Sequence, residues 1–233
     1  MGDVMQDFEE KKYDVLVVGA GAAGMRAAIA ASEEGATVCL VSKSLLGKAH
    51  TVMAEGGAAA ALGNADERDN WKVHFRDTIK GGKHLNNWKM AKIHAEQAPE
   101  RILELEKWGA VFDRTKDGKI NQRNFGGHRF PRLAHVGDRT GLEIIRTVQD
   151  RVIHQDNIDI FMECTVAKII TENNQAVGAL AYYRNNGNIV AILAKAVIVA
   201  TGGIGKAYRV TSNSWEYTGD GHSLAYLAGA DLQ

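Results

Sequence analysis

His50 lies between two segments of this 233-residue chain whose composition suggests a ligand site. Upstream, DVLVVGAGAAG over residues 14–24 has the pattern of a buried strand that runs into a glycine-rich turn. Downstream, residues 51–64 are mostly small, TVMAEGGAAAALGN, so that backbone can approach a flat ligand closely. A neutral imidazole nitrogen is a good nucleophile, and a ligand that begins at the glycine turn should reach this junction with its reactive end.

The glycine turn has the spacing of a dinucleotide-binding fingerprint. Its six residues are Gly19, Ala20, Gly21, Ala22, Ala23 and Gly24. In such a turn Gly19 permits the tight bend, Gly21 lets backbone approach the pyrophosphate, and Gly24 allows the helix to pack closely on the strand. A plain small-residue contact between helix and strand is the alternative. Because the turn follows a strand and opens a helix, whose N-terminus favours phosphate, we predict dinucleotide binding.

Three separate segments together select FAD over NAD. Both cofactors use this turn, and an acidic residue at the end of the next strand commonly binds the ribose, but this chain has Ser42 and Lys43 there. Far downstream, AVIVATGGIG places Thr201 and Gly202 after an apolar strand, and TGDG places Asp220 ahead of a helix. Taken alone, these are an ordinary strand-to-turn junction and a turn residue or helix cap. An ATGG segment recurs late in the FAD domain of many flavoproteins, which favours FAD. For Ser42, Lys43 and Asp220, a place in the FAD site is what the resemblance to a flavoprotein family, carried by residues 42–57, implies.

The ordered Ser-Lys, His-Thr-Val and Gly-Gly segments of residues 42–57 resemble the flavoprotein subunits of succinate dehydrogenase and fumarate reductase. The Ser-Lys pair, which departs from the ordinary dinucleotide pattern, fits this family. The resemblance implies that His50 carries FAD on a covalent bond and that Thr51, Gly56 and Gly57 belong to the FAD site. A histidine at this position separates the family from the related L-aspartate oxidases, whose flavin is held without a covalent bond. The alternative for His50 is a polar loop residue that contacts backbone.

A later segment, INQRNFGGHRFPRLAHVGDRTG over residues 120–141, also resembles this family. The resemblance implies that Phe125 lies over a bound dicarboxylate and that Gly56 contacts this substrate through its backbone. Glu55 stands where many relatives carry glutamine. A negative charge beside a dianionic substrate is unfavourable unless it is protonated or paired, so Glu55 departs from the pattern without an explanation in the sequence.

Several of the histidines and arginines leave two interpretations open. Four residues of the later segment form a cationic cluster that could attract a dianion, namely His128, Arg129, Arg132 and His135. The alternative is a solvated loop whose arginines pair with Asp138 or Glu143. The remaining histidines share no metal-ligand spacing, so no metal site is predicted. These are His74, His84, His94, His154 and His222.

The hydrophobic pattern predicts the α/β class, a Rossmann-like FAD-binding domain with a parallel sheet plus an antiparallel β-meander. Strands are expected over 13–18 and 36–43, and helices over 22–34, 69–80, 86–108 and 140–152, with Pro99 breaking the third helix. From residue 158 three or four strands follow, and the last, KAVIVATGGIG, is expected to return to the parallel sheet. No linker-like tract divides the chain, so one FAD-binding domain is expected over residues 1–233.

Composition narrows the classes of partner. The formal net charge is zero, which gives no indication of a nucleic-acid partner. No apolar run approaches the roughly 18 residues of a membrane span. Cys39 and Cys164 lie in apolar, strand-like runs and are expected to be buried free thiols. Two cysteines cannot supply the four ligands of an ordinary iron–sulfur cluster, so any cluster is expected on another chain.

The resemblance implies an oxidoreductase that oxidises succinate to fumarate or runs the reverse reaction. Its expected partners are an iron–sulfur subunit and the membrane-anchor subunits of a respiratory complex, with this chain peripheral on the cytoplasmic or matrix side of the membrane. The chain is expected to be the N-terminal part of a larger flavoprotein, with capping and helical domains and the proton-shuttling arginine beyond residue 233. Two alternatives stay open: a non-catalytic FAD-binding module, and a flavoenzyme similar to L-aspartate oxidase.

Overall fold

A computed structural model describes residues 8–232, which divide into two compact units. Unit 1 comprises residues 8–50 and 148–232, and unit 2 comprises residues 51–147. The division lies within the stretch that the sequence predicts as one domain, and residues 1–7 and 233 of that predicted domain lie outside the described range. In chain order the helices and strands are β1 (Glu9–Val18), α1 (Ala22–Glu33), β2 (Val38–Val41), β3 (Ala58–Ala59), α2 (Trp71–Gly81), α3 (Trp88–Lys107), β4 (Gln122–Arg123), β5 (Leu133–Ala134), α4 (Thr140–Ile153), β6 (Ile158–Phe161), β7 (Cys164–Glu172), β8 (Gln175–Tyr183), β9 (Ile189–Val199) and α5 (Asp220–Leu227).

Unit 1 is built on a six-stranded sheet with the order β6-β2-β1-β9-β8-β7. The first four strands in that order run parallel to their neighbours, and the last three form an antiparallel meander. All four residues of β2 are buried, as expected for a parallel strand that is covered on both faces. The predicted α/β class, with a parallel sheet and an antiparallel meander, is therefore confirmed.

Strand β9 joins the two parts of this sheet. One edge of β9 pairs antiparallel with β8, where Tyr182 lies opposite Ile189, and the other pairs parallel with β1, where Val18 lies opposite Val199. The predicted return of the last strand to the parallel sheet is thus confirmed. The turn between β7 and β8 places Asn173 and Asn174 at positive φ, the conformation that a two-residue hairpin turn requires.

Helix α1 follows the glycine turn and ends where the sequence predicts. Its C-cap is Glu34, and Gly35 adopts φ +84°, a left-handed conformation that glycine reaches at little cost. Cys39 and Cys164 are both buried free thiols, as expected, and burial raises the pKa of the Cys164 thiol to about 11. Over residues 8–232, no helix is long and apolar enough to cross a bilayer.

Unit 2 combines α2 and α3 with a small sheet of order β3-β5-β4. The predicted break at Pro99 is wrong, because α3 is one helix with Pro99 inside it. Proline removes one backbone hydrogen bond, but α3 also buries Ala91, Ala95 and Ile102 along its length, and this packing stabilises the helix on both sides of the proline.

Candidate functional site

The glycine turn after β1 adopts a conformation that its first and last glycines make possible. Gly19 has φ +112°, and a Cβ there would lie 2.4 Å from the carbonyl oxygen of Ala200. A Cβ on Gly24 would lie 1.8 Å from the carbonyl oxygen of Gly19, so only glycine lets α1 pack this closely on the turn. The structure thus has the tight bend predicted at Gly19 and the close packing of the helix predicted at Gly24.

The N-terminus of α1 suits an anion. Gly21 is its N-cap, no side chain caps the helix, and the first turn contains no acidic residue. By contrast, α2 and α3 are each capped by an asparagine side chain, Asn70 and Asn87, which accepts two backbone N–H groups. An uncapped helix N-terminus beside glycine backbone fits the pyrophosphate of FAD, because its N–H groups and the helix dipole favour negative charge.

Ser42 and Lys43, at the end of β2, have different surroundings. Ser42 is buried, its N–H donates to Phe161 O at 2.8 Å, and its carbonyl accepts from Cys164 N–H at 2.9 Å. Lys43 Nζ lies 2.7 Å from Asp220 Oδ2 and 2.6 Å from the hydroxyl oxygen of Thr218. The structure therefore brings together two residues, Lys43 and Asp220, that the sequence assigns independently to the FAD site.

Asp220 is held as a carboxylate by these neighbours. Burial by itself raises the pKa of a carboxyl group, but the hydrogen bonds from Lys43 and from the Thr218 hydroxyl outweigh burial, and the pKa of Asp220 lies below its ordinary value. Asp220 is also the first residue of α5, where negative charge is favourable.

The ATGG and TGDG segments pack against each other. A Cβ on Gly221 would lie 1.9 Å from the Thr201 hydroxyl oxygen. A Cβ on Gly202, which has φ +78°, would lie 2.4 Å from the ring of Tyr217. Thr201, Gly202 and Asp220, predicted from separate motifs, thus belong to one continuous surface of unit 1.

His50 is oriented by the segment that precedes α5. The backbone N–H of Ser214 donates to His50 Nδ1 at 3.1 Å, and the ring centroids of His50 and Tyr217 are 4.4 Å apart. Within residues 8–232, no hydrogen-bond partner is recorded for His50 Nε2. The imidazole is therefore fixed in orientation, with one nitrogen engaged and the other available to a ligand.

In unit 2, the predicted substrate-facing residues also lie close to one another. The ring of Phe125 is 3.4 Å from the position of a Cβ on Gly56. Gly57 has φ +120°, and a Cβ there would lie 2.8 Å from Ala134 O. Glu55 is exposed, so its charge is solvated.

Thr51 lies beside the first turn of α4. A Cβ on Gly141 would lie 1.9 Å from the carbonyl oxygen of Thr51, and the Gly141 N–H donates to Ala54 O at 2.7 Å. The close approach explains the glycine at position 141. It also ties the residues after His50 to the start of α4.

Arg123 is a residue of this region that sequence reasoning missed. Its guanidinium donates to the carbonyl oxygens of Glu55 and Gly56 at 2.5 and 2.7 Å and to the Asp138 carboxylate at 3.0 Å. The sequence feature that could have identified Arg123 is its position two residues before Phe125.

The expected cationic cluster is wrong for Arg132. This side chain is fully buried and pairs with Asp69 at 2.8 Å and Asp77 at 2.9 Å, so its charge is neutralised inside unit 2. The alternative pairing is met by Arg123, which pairs with Asp138, but not by Arg132, and Glu143 pairs with Arg146. Of the other members of the cluster, Arg129 lies over the Phe130 ring, His135 lies against Asp113, and His128 packs near His74.

His74 is a buried histidine of unit 2. Its ring centroid lies 5.2 Å from that of His94 and 5.8 Å from that of His128. Burial, followed by the positive charge of Arg132, lowers the pKa of His74 to about 4, so its imidazole is neutral at pH 7. No group of three or more His, Cys, Asp or Glu side chains in the described range is arranged to hold a metal ion.

The chain is similar to flavoprotein subunits of fumarate reductase and succinate dehydrogenase. The fumarate reductase flavoprotein subunit of Haemophilus influenzae is 38% identical over 222 residues, which are 94% of this chain and 37% of that protein. The succinate dehydrogenase flavoprotein subunit of Rickettsia bellii is 38% identical over 230 residues, 95% of this chain and 38% of that protein. Among solved structures, a chain of the Mycobacterium smegmatis Sdh1 complex in the apo form is 57% identical, with a TM-score of 0.90 over 95% of this chain and 39% of that chain.

The chain thus spans 37–38% of the length of these two curated relatives. The family model described as "FAD binding domain" matches residues 14–233, from the middle of β1 onward. This match includes the glycine turn, His50 and the ATGG and TGDG segments, and the chain belongs to the FAD binding domain family.

Proposed function

We propose that this chain is the FAD-binding part of a flavoprotein subunit that interconverts succinate and fumarate, with the FAD joined covalently to His50. The observation that carries the proposal is the orientation of His50. Its Nδ1 accepts the Ser214 N–H, and its ring lies against Tyr217, so that Nε2 is the nitrogen offered to a ligand.

The proposed dinucleotide contacts in unit 1 follow from the geometry above. The turn from Gly19 through Ala20, Gly21, Ala22 and Ala23 to Gly24, with the α1 N-terminus, holds the pyrophosphate. The remaining proposed FAD contacts are Ser42, Lys43, Thr201, Gly202 and Asp220 in unit 1 and Thr51, Gly56 and Gly57 in unit 2. When bound, FAD supplies an acceptor for two electrons.

The bond to His50 is proposed at Nε2. An imidazole that is substituted at Nε2 and has lost its proton is neutral and keeps its lone pair on Nδ1. That lone pair is the one that accepts the Ser214 N–H at 3.1 Å, so the linked histidine keeps the hydrogen bond that orients it. A bond at Nδ1 would break that hydrogen bond and leave the Ser214 N–H without an acceptor.

The substrate and the partners are inferred from the relatives. We propose that a dicarboxylate contacts the Gly56 backbone and the Phe125 ring. We propose that electrons then leave to a separate iron–sulfur subunit, and that Cys39 and Cys164, which are buried free thiols, take no part in that transfer. Membrane-anchor subunits hold the assembly at the membrane, with this chain peripheral on the cytoplasmic side.

The test uses the full-length protein purified in its complex. After denaturation, the protein band is expected to keep flavin fluorescence on a gel, and the tryptic peptide that contains His50 is expected to carry the mass of FAD. His50→Ser is expected to retain FAD without the bond and to lose succinate oxidation more than fumarate reduction. The exposed His154 gives the matched control, and His154→Ser should change neither property.

Three outcomes would contradict this proposal. Flavin released in full on denaturing the wild-type complex would exclude the covalent bond. Turnover with L-aspartate but not with succinate and a dye acceptor would assign the chain to an oxidase of the L-aspartate type. Retention of FAD without any turnover would indicate a non-catalytic FAD-binding module.

A further inference from the structure

Arg123 makes an unusual set of contacts at the end of β4 in unit 2. Its Nε donates to the carbonyl oxygen of Gly56 at 2.7 Å, and its Nη2 donates to the carbonyl oxygen of Glu55 at 2.5 Å. Its Nη1 donates to Asp138 Oδ1 at 3.0 Å. One guanidinium therefore holds two successive backbone carbonyls while a carboxylate balances its charge. Arginine suits this task because its donors lie in a rigid, planar fork.

The two held carbonyls determine where the neighbouring N–H groups point. All peptide bonds of the described range are trans, so each N–H points opposite to the carbonyl of the preceding residue. The N–H groups of Gly56 and Gly57 therefore face away from Arg123. For these two N–H groups the structure records no acceptor within residues 8–232. Successive backbone N–H groups that point to the same side and have no protein acceptor can bind an anion.

We propose that Arg123 is a positioning residue for the dicarboxylate, which aims the Gly56 and Gly57 N–H groups at a substrate carboxylate. This inference rests on the proposed function. Arg123 also stands two residues before Phe125, whose ring packs on Gly56. A single side chain thus sets the relative placement of the peptide donors and of the aromatic ring, the two features assigned to substrate.

A positioning role and a purely structural role for Arg123 predict different properties of an Arg123 variant. If Arg123 only stabilised the loop, its loss would lower the melting temperature and the yield of flavin-loaded protein, with ligand affinity unchanged in the folded fraction. If it aims the two N–H groups, its loss weakens dicarboxylate binding in protein that is folded and flavin-loaded. Hydrogen bonds to a charged group contribute about 1.5–3 kcal/mol each, so misalignment of one of them corresponds to roughly a 10- to 100-fold loss of affinity.

The experiment titrates malonate into the full-length, flavin-loaded complex and follows the flavin absorbance. Malonate is a dicarboxylate that lacks the CH–CH bond needed for oxidation, so it reports binding without turnover. Arg123→Met is expected to raise the dissociation constant at least tenfold, and Arg123→Lys, which keeps the charge but not the fork, is expected to lie between Arg123→Met and wild type.

Arg146 provides the matched control. It also lies in unit 2, donates to the carbonyl oxygen of Gly109 at 2.6 Å and pairs with Glu143 at 2.7 Å. Arg146→Met therefore removes the same kind of contacts at another loop, and its malonate affinity is expected to equal that of wild type.

The outcomes separate this inference from the function on which it rests. Wild-type protein that does not bind malonate would overturn the proposed dicarboxylate site, and this inference with it. Wild-type binding with unchanged affinity in both Arg123 variants would overturn the positioning role alone. If Arg123→Met fails to fold, Arg123→Lys decides, because wild-type affinity in a folded Lys variant contradicts the need for the fork.

Discussion

Lys43 Nζ lies 2.7 Å from Asp220 Oδ2, so an ion pair joins the end of β2 to the first residue of α5 across 177 positions of sequence. The Thr218 hydroxyl contacts both side chains, at 2.6 Å from Lys43 Nζ and 2.8 Å from Asp220 Oδ1. Three polar side chains from two distant segments of the chain therefore form one small network within unit 1. This network holds the end of β2 against the TGDG segment.

The Lys43–Asp220 pair leads to a prediction about stability and FAD retention. Both side chains are partly exposed, so Asp220→Asn is expected to lower the free energy of unfolding at pH 7 by only about 1 kcal/mol. Lys43→Met is expected to have a similar effect and to reduce the fraction of protein that purifies with FAD. The Lys195–Asp14 pair of the same unit is the control, and Lys195→Met should leave FAD retention unchanged.

The pH dependence of this pair has a definite sign. Because the folded pKa of Asp220 is lowered, the pair stabilises the protein above the ordinary aspartate pKa of 3.8. Its contribution is lost as the pH falls from that value through the lower folded pKa. The difference in unfolding free energy between wild type and Asp220→Asn should therefore be constant from pH 5 to 7 and shrink in stronger acid. A difference that grows on acidification would contradict the charged state assigned to Asp220.

The Ser214 N–H leads to a prediction about the bond between FAD and His50. Ser214→Pro removes the backbone donor to His50 Nδ1, whereas Ser214→Ala keeps it and deletes a buried hydroxyl that has no partner among the described residues. One hydrogen bond of about 1 kcal/mol corresponds to roughly a fivefold effect. Ser214→Pro is therefore expected to lower the rate of covalent attachment about fivefold, measured as in-gel flavin fluorescence against total bound FAD.

Ser214→Ala is the control for this change and is expected to attach FAD at the wild-type rate. Wild-type attachment in a folded Ser214→Pro protein would show that the N–H does not orient the imidazole for reaction. Equal loss in both variants would assign the effect to the hydroxyl instead.

The buried His74 leads to a prediction about acid stability. Its folded pKa of about 4 lies below the ordinary value of 6.5, so the folded state favours the neutral imidazole. As the pH falls, His74 is protonated in the unfolded chain before it is protonated in the folded protein. Its contribution to the free energy of unfolding is therefore complete above pH 6.5 and is lost as the pH falls toward 4. One such proton changes the unfolding free energy by at most about 1.4 kcal/mol per pH unit.

Urea denaturation between pH 7 and 4.5 measures this slope. His74→Gln is expected to show a shallower fall in unfolding free energy than wild type, because the titrating group is gone. His154→Gln, at an exposed position, should reproduce the wild-type slope. Identical slopes for wild type and His74→Gln would mean that His74 is not the group that titrates on unfolding.

Features that depend on neighbouring residues were predicted well. The strand, glycine turn and helix from β1 to α1 have their boundaries near the predicted ones, and the conformations of Gly19 and Gly35 follow from local steric rules. The predicted antiparallel meander is equally local in origin, because its first turn, at Asn173 and Asn174, requires residues that tolerate positive φ.

Features that depend on burial were predicted poorly. Pro99 lies inside α3, since the packing of one helix face outweighs the hydrogen bond that proline removes. Arg132 is buried against Asp69 and Asp77, which precede it by 63 and 55 positions. Nothing in the spacing of these residues indicates which arginine of the segment enters the interior.

The sequence by itself determined where the strands and turns lie and which candidate residues stand at them. These residues are the glycines of the dinucleotide turn, His50 and Asp220. These follow from short-range steric and hydrogen-bonding preferences. Only the tertiary structure decided that Lys43 pairs with Asp220 and that the Ser214 N–H selects one nitrogen of His50. It also decided that Arg123 holds the backbone carbonyls of Glu55 and Gly56. Such contacts join residues 67 to 177 positions apart, and they depend on strand order and register, which no local pattern specifies.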